Sequence, residues 1–169
     1  MTMVTQGGPG ADTASLAGKY MTFRLATEDY GFEILKVREL IGLMEITRVP
    51  RSPSYIRGVI NLRGKVIPVV DLRVKFEMES VEPTSQTVII VVQLGPQHGG
   101  LTMGVMVDEV LEVRAIESKD VEPPPTFQSQ TATDFILGVG KAENRVVFLL
   151  DIDRILSVKE TTNVSEGLF

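Results

Sequence analysis

The sequence predicts a small all-β protein, and three observations carry that prediction. Apolar residues recur with period two, clusters of turn-forming residues separate the apolar runs, and one strand-turn-strand pattern returns later in the chain. Period two sends successive side chains to opposite faces of a strand, so each run can bury one face and solvate the other.

Taken in order, residues 1–18 are Gly, Thr, Ser and Ala with little to bury, and read as a disordered leader; residues 159–169 read as a flexible tail. Met21, Phe23 and Leu25 then alternate with Tyr20, Thr22 and Arg24. The segment TEDYG is expected to turn the chain into a second strand around Phe32 and Ile34. In ILKVRELIGL, Ile34, Val37, Leu40 and Ile41 have helical spacing; the β-branched content limits this to a short helical turn, with Gly42 ending it. A strand is expected at Glu45–Val49, closed by Pro50 and Pro53. Strands at Ile56–Leu62 and Lys65–Leu72 follow, joined by an Arg63-Gly64 turn. Pro68 cannot donate to a ladder and is expected at an edge, a bulge or a barrel corner, which favours a curved sheet.

After a loop at Glu77–Gln86 come a strand at Thr87–Leu94, the turn GPQHGG, and a long strand pair over Leu101–Ile116. EPPP at 122–125 reads as a stiff connector, although a polyproline ligand is the alternative use. The last hairpin runs from Phe135 through AENR to Leu150, and Asp151 is placed to cap a brief helix containing Ile152, Ile155 and Leu156. GVINLRGKVIPVVDL at 58–72 aligns without a gap to GVGKAENRVVFLLDI at 138–152, with Gly58/Gly138, Val59/Val139, Val66/Val146 and Asp71/Asp151 identical. Two related β-subdomains are the expectation, against the alternative that any two hairpins look alike at this length.

With 43% apolar residues over 169, the chain can build a real core. A net charge of −5, from 17 basic and 22 acidic residues, argues against a polyanion as main partner. Zero cysteines exclude disulfides, thiolate metal sites and cysteine nucleophiles. The first residues lack a basic n-region and an apolar h-region, and Val88–Val92 is too short to cross a bilayer, so a soluble cytoplasmic protein is expected.

Candidate chemistry is weak throughout. GVINLRGK resembles a phosphate loop, but five residues separate Gly58 from Gly64, Val66 stands where a hydroxyl is needed, and a strand follows instead of a helix. Gly138 and Gly140 begin a GxG whose third position is Glu143, which would repel a pyrophosphate. His98, the only histidine, lies in a polar turn and reads as a solvated loop residue. Asp108-Glu109 point to opposite strand faces, while Asp151 and Asp153 suit a helix start, so no metal site and no cofactor are expected. No nucleophile has a visible base, and an enzyme is disfavoured.

YGFEILKVREL at 30–40, ITRVPRSPSYIRGVINLRGKVIPVVDLRVKF at 46–76, TVIIVVQL, GVMVDEVLEV and FILGVGKAENRVVFLLDIDRIL together resemble the CheW family of bacterial chemotaxis coupling proteins. The likeness spans residues 19–158, with no kinase or phospho-receiver sequence attached. It implies two five-stranded, SH3-like β-barrel subdomains around a shared core, with short helical segments. It also implies a non-enzymatic adaptor between the cytoplasmic tips of chemoreceptors and the regulatory domain of the histidine kinase CheA. Receptor contact would fall in a groove between subdomains, at the positions matching Val37, Glu39, Gly58, Asn61, Arg63 and Gly64. In that groove Val37 would supply apolar floor, Gly58 close approach and Arg63 a polar anchor oriented by Glu39, with two unrelated surface charges the alternative for that pair. Tyr30 and Met44 are candidates for a kinase-facing patch, with a core role the alternative. A different class of function, a small β-barrel binding single-stranded nucleic acid or a peptide, fits poorly with 6% aromatics and an acidic chain.

Overall fold

The computed structural model describes residues 13–124 and 135–155. Eleven strands dominate the described residues: β1 Gly18–Leu25, β2 Glu28–Glu33, β3 Val37–Gly42, β4 Ile56–Leu62, β5 Lys65–Asp71, β6 Val88–Gln93, β7 Thr102–Val107, β8 Glu109–Ile116, β9 Val121–Glu122, β10 Ile136–Ala142 and β11 Arg145–Leu150. They form two mixed sheets, ordered β8-β1-β2-β11-β10-β9 and β3-β6-β7-β5-β4. The chain divides into two compact units, one built from the chain up to Ile34 with Leu111–Asp151, the other from Leu35–Val110 with the chain from Ile152. The all-β expectation holds; the first sheet carries a sixth strand, the two-residue β9, beyond the five implied per subdomain.

In the first unit, antiparallel pairing sets Phe23 opposite Tyr30, and parallel pairing sets Tyr30 beside Phe148. Their rings pack at 5.9 Å and 5.5 Å between centroids, with Phe32 at 4.9 Å from Phe23. This packing is why EDYG is strand and not turn: reversal occurs one step earlier, where Ala26 adopts φ 56°. The opposite sheet face buries Tyr20, Ile116, Val121, Val147 and Leu149. Leu16 packs on this cluster from a 3-10 turn at Thr13–Leu16, inside the segment read as a leader, and Tyr20 donates to its carbonyl at 2.6 Å. The remainder of the leader, Pro125, Leu156 and the tail lie outside the described residues.

Asp29 is 3% exposed on that face and receives two cations. Arg145 binds it through Nε at 2.8 Å and Nη2 at 2.9 Å, and Arg24 through Nε at 3.3 Å. Burial pushes this carboxyl up, but the hydrogen bonds and charges of Arg145 and Arg24 outweigh it and hold Asp29 below the ordinary carboxylate range.

The second unit buries Ile60, Ile67, Val69, Ile89 and Met106, with Ile41, Met44, Ile46 and Leu62 packed against them. Three sequence expectations change here. Only Ile34–Lys36 is helical, as a 3-10 turn, and Val37–Gly42 is strand, because β6 offers a ladder that a β-branched segment fills better than a helix. Glu45–Val49 makes a single bridge, Thr47 to Val59, instead of a strand. Leu101–Ile116 is not a pair: β7 and β8 are separated by Asp108 alone, too short a loop for a hairpin, and join different sheets.

The internal similarity is realised residue by residue. In both hairpins the register shifts by one, between Ile56 and Gly58 and between Ile136 and Gly138. Val59 faces Pro68 as Val139 faces Phe148, and a helical turn follows each second strand, at Leu72–Lys75 and Ile152–Ile155. Each second strand then pairs in parallel with a partner glycine, Val69 with Gly104 and Leu149 with Gly31. Asp71 caps the first helical turn, accepting the Arg73 and Val74 N–H groups at 3.1 and 3.4 Å.

Pro68 fits because Val59 exchanges both backbone bonds with Thr47, at 2.8 and 2.9 Å, leaving none for Pro68. On its other side the parallel ladder begins only at Val69, two residues later than in the other hairpin, where Val147 and Phe148 already pair with Asp29 and Tyr30.

His98 is buried, not solvated: its Nε2 lies 2.7 Å from the Asp153 carbonyl oxygen. The Asp153 carboxylate accepts the Gly95 N–H at 2.6 Å and pairs with Lys36 at 3.2 Å, so the helical turn Ile152–Ile155 is pinned to the β6–β7 connection.

Candidate functional site

The β4–β5 hairpin closes through two residues of positive φ, Arg63 at 52° and Gly64 at 87°, the combination of a type I′ turn. Asn61 Oδ1 accepts the Gly64 N–H at 2.9 Å and so fixes the turn from within its own strand. A left-handed conformation is costly for arginine, on the order of 1 kcal/mol for a residue bearing Cβ. The compensating feature is where the side chain goes. Its Nη1 lies 3.3 Å from Glu39 Oε1, and Nη2 engages Oε2, a two-pronged pair between the hairpin tip and β3. Glu39 and Arg63 thus pair as the resemblance implied. The Arg63 guanidinium is held above its ordinary range first by this hydrogen bond and then by the charge of Glu39. β3 and β4 are the two edge strands of the five, so the sheet is curled enough for one edge to reach the tip of the other.

Glu39 follows a β-bulge. Val37 pairs with Val92 and Glu39 with Val91, leaving Arg38 as the extra residue. A bulge re-aims a side chain that strict alternation would send to the opposite face. Arg38 and Glu39 consequently border the same cleft, of about 520 Å³, together with Leu62, Arg63, Lys65 and Ile67.

Gly58 has a structural reason for being glycine. Its φ is 145°, and a Cβ there would lie 2.1 Å from the Thr47 carbonyl oxygen. The close approach it permits is that of its own chain, through the Thr47–Val59 bridge. Of the six residues named from sequence, all lie in the second unit: Glu39 and Arg63 border the cleft, Asn61 and Gly64 shape the turn, Val37 opens the bulge and Gly58 seats Thr47.

Two charged cleft residues are not recognisable from the sequence. Arg38 was hidden because nothing in VREL announces a bulge, and Lys65 because it reads as an ordinary strand start. Tyr30 takes the core alternative: it is buried among Phe23 and Phe148, and burial, with Glu28 nearby, pushes its hydroxyl up to about 12. Met44 is half-buried against the second core cluster. Asp108 is bound by Arg73 at 2.8 and 2.6 Å. No group of three or more His, Cys, Asp or Glu among the described residues is disposed to hold a metal, and no described helix is long and apolar enough to cross a membrane.

Comparison with known proteins bears on residues well beyond the cleft. Residues 19–160 match the CheW-like domain. The chemotaxis protein CheW of Klebsiella aerogenes is 37% identical over 155 residues, covering 89% of this chain and 91% of that one. CheW of Rhizobium meliloti is 34% identical over 140 residues, covering 83% and 88%. Among solved structures, the scaffolding protein TtCheW from Thermoanaerobacter tengcongensis superposes with a TM-score of 0.76 at 33% identity, covering 85% of this chain and 95% of that one. The chain therefore belongs to the CheW-like family of chemotaxis proteins, scaffolds and not enzymes.

Proposed function

We propose that this chain couples chemoreceptors to the histidine kinase CheA, working in the cytoplasm and recruited to receptor arrays at the membrane. Residues 19–158 form the working body. The receptor's helical-hairpin tip docks on the face bearing Val37, Glu39, Asn61, Arg63 and Gly64, while CheA's regulatory domain binds elsewhere on the chain. The observation that carries this reading is the Glu39–Arg63 pair, because it holds a guanidinium at a hairpin tip in a strained turn and leaves 69% of that side chain exposed. An exposed ion pair adds little to stability, so a turn that accepts strain to present arginine points to recognition.

Co-sedimentation of the purified chain with CheA and receptor-containing membranes tests the proposal. Wild type is expected in the pellet with both. Glu39→Arg and Arg63→Glu singly should each weaken receptor binding, and the double swap should recover part of it. No co-sedimentation with either partner, together with salt-sensitive oligonucleotide binding, would select the nucleic-acid alternative instead.

A further inference from the structure

The cleft beside the Glu39–Arg63 pair has a charge that the docking role alone does not require. Arg38, Arg63 and Lys65 stand at its border against one carboxylate, Glu39, in a chain whose net charge is −5. Glu39 is already engaged by Arg63. Arg38 and Lys65 are exposed and carry no ion pair among the described residues. The same lining includes three apolar residues, Ile67 at 3% and Val91 at 1% exposed with Leu62 half-buried, beside the uncharged polar Gln93 and Thr102.

We infer that this cleft selects its partner by an acidic side chain: a Glu or Asp on the receptor tip enters between Arg38 and Lys65 while a neighbouring apolar side chain of the same helix covers Leu62 and Ile67. The inference rests on the receptor-docking reading and adds Arg38 and Lys65 as its specificity determinants. The bulge in β3 is what makes it possible, since Arg38 borders the cleft as the extra residue of that strand. Charge complementarity favours a single carboxylate over a polyanion. Three cations around one partly apolar cleft do not make the extended basic track that a nucleic acid or lipid surface needs, and the net negative chain repels such partners at long range. Cations at such a rim act on partner choice and association rate, and their effect is screened by salt.

The test is calorimetric titration of the full chain with a soluble chemoreceptor cytoplasmic fragment, at low and at high salt. The Arg38→Gln/Lys65→Gln double variant should bind about tenfold more weakly at low salt, a few-fold per lost pair, and should lose most of the salt dependence. Its melting temperature should match wild type, because both side chains are exposed. Wild-type affinity and salt dependence retained in the double variant would overturn the inference and leave the docking reading standing. Absence of binding by wild type itself would overturn the docking reading and the inference with it. A parallel titration with receptor-free phosphatidylglycerol vesicles should show no binding; binding there that the double variant loses would assign the two cations to a lipid surface.

Discussion

Asp29 shows how a single buried carboxylate ties stability to pH. Its folded pKa lies below the ordinary value, so the unfolded chain binds the proton more tightly than the folded one. The contribution is fully present above the unfolded pKa, near 4, and is lost as pH falls through the folded value. Asp29→Asn should therefore cost about 2 kcal/mol at neutral pH, by loss of charge-assisted hydrogen bonds, and the difference from wild type should shrink in acid. Urea unfolding at neutral and at acid pH measures this; a difference that stayed constant with pH would refute the linkage. Gly58 is the second residue-scale case. Gly58→Ala places a methyl against the Thr47 carbonyl and should cost about 2 kcal/mol or more through strain and displacement of the bridge, whereas Gly64→Ala meets open space and should cost about 1 kcal/mol.

Among the elements, the two hairpins β4–β5 and β10–β11 form a natural pair of controls. Both turn through two positive-φ residues, Arg63-Gly64 in one and Glu143-Asn144 in the other. Neither uses the Asn-Gly sequence that this turn favours. Arg63→Asn should relieve the strain at that position and raise the melting temperature by a few degrees, while weakening receptor binding. Such opposed effects are the mark of a turn residue retained for recognition. If Arg63→Asn left binding intact, the arginine would have no recognition role. The gapless similarity between 58–72 and 138–152 was sufficient to foresee matching hairpins, since strand register and turn length follow from local sequence. It did not reveal that the parallel ladder starts two residues later in β5, at Val69, than in β11, because that depends on β7, a strand distant in sequence.

For the molecule as a whole, the chain leaves the second unit after Val110 and re-enters it at Ile152. Ile152 and Ile155 are buried, and Asp153 holds Gly95, Lys36 and, through its carbonyl, His98. Asp153→Ala should remove these side-chain anchors and cost about 2 kcal/mol; the strand ends of β6 and β7 should lose hydrogen-exchange protection before the first unit does. Equal loss across both units would show that the two unfold as one.

The sequence by itself determined the all-β class, the duplicated hairpin and the absence of cysteine chemistry, because alternation, turn chemistry and composition act over a few residues; Glu39 and Arg63 were singled out by the family resemblance and not by these patterns. Tertiary structure alone decided that VREL is a bulged strand lining a cleft, that Tyr30 is core, that His98 is buried against Asp153, and that the room beside Gly58 belongs to Thr47. Each of these depends on a partner supplied from elsewhere in the chain. A period-two pattern specifies which face a residue takes only while the ladder is regular, and at Arg38 the interruption is set by pairing with β6, not by the residues of β3 themselves.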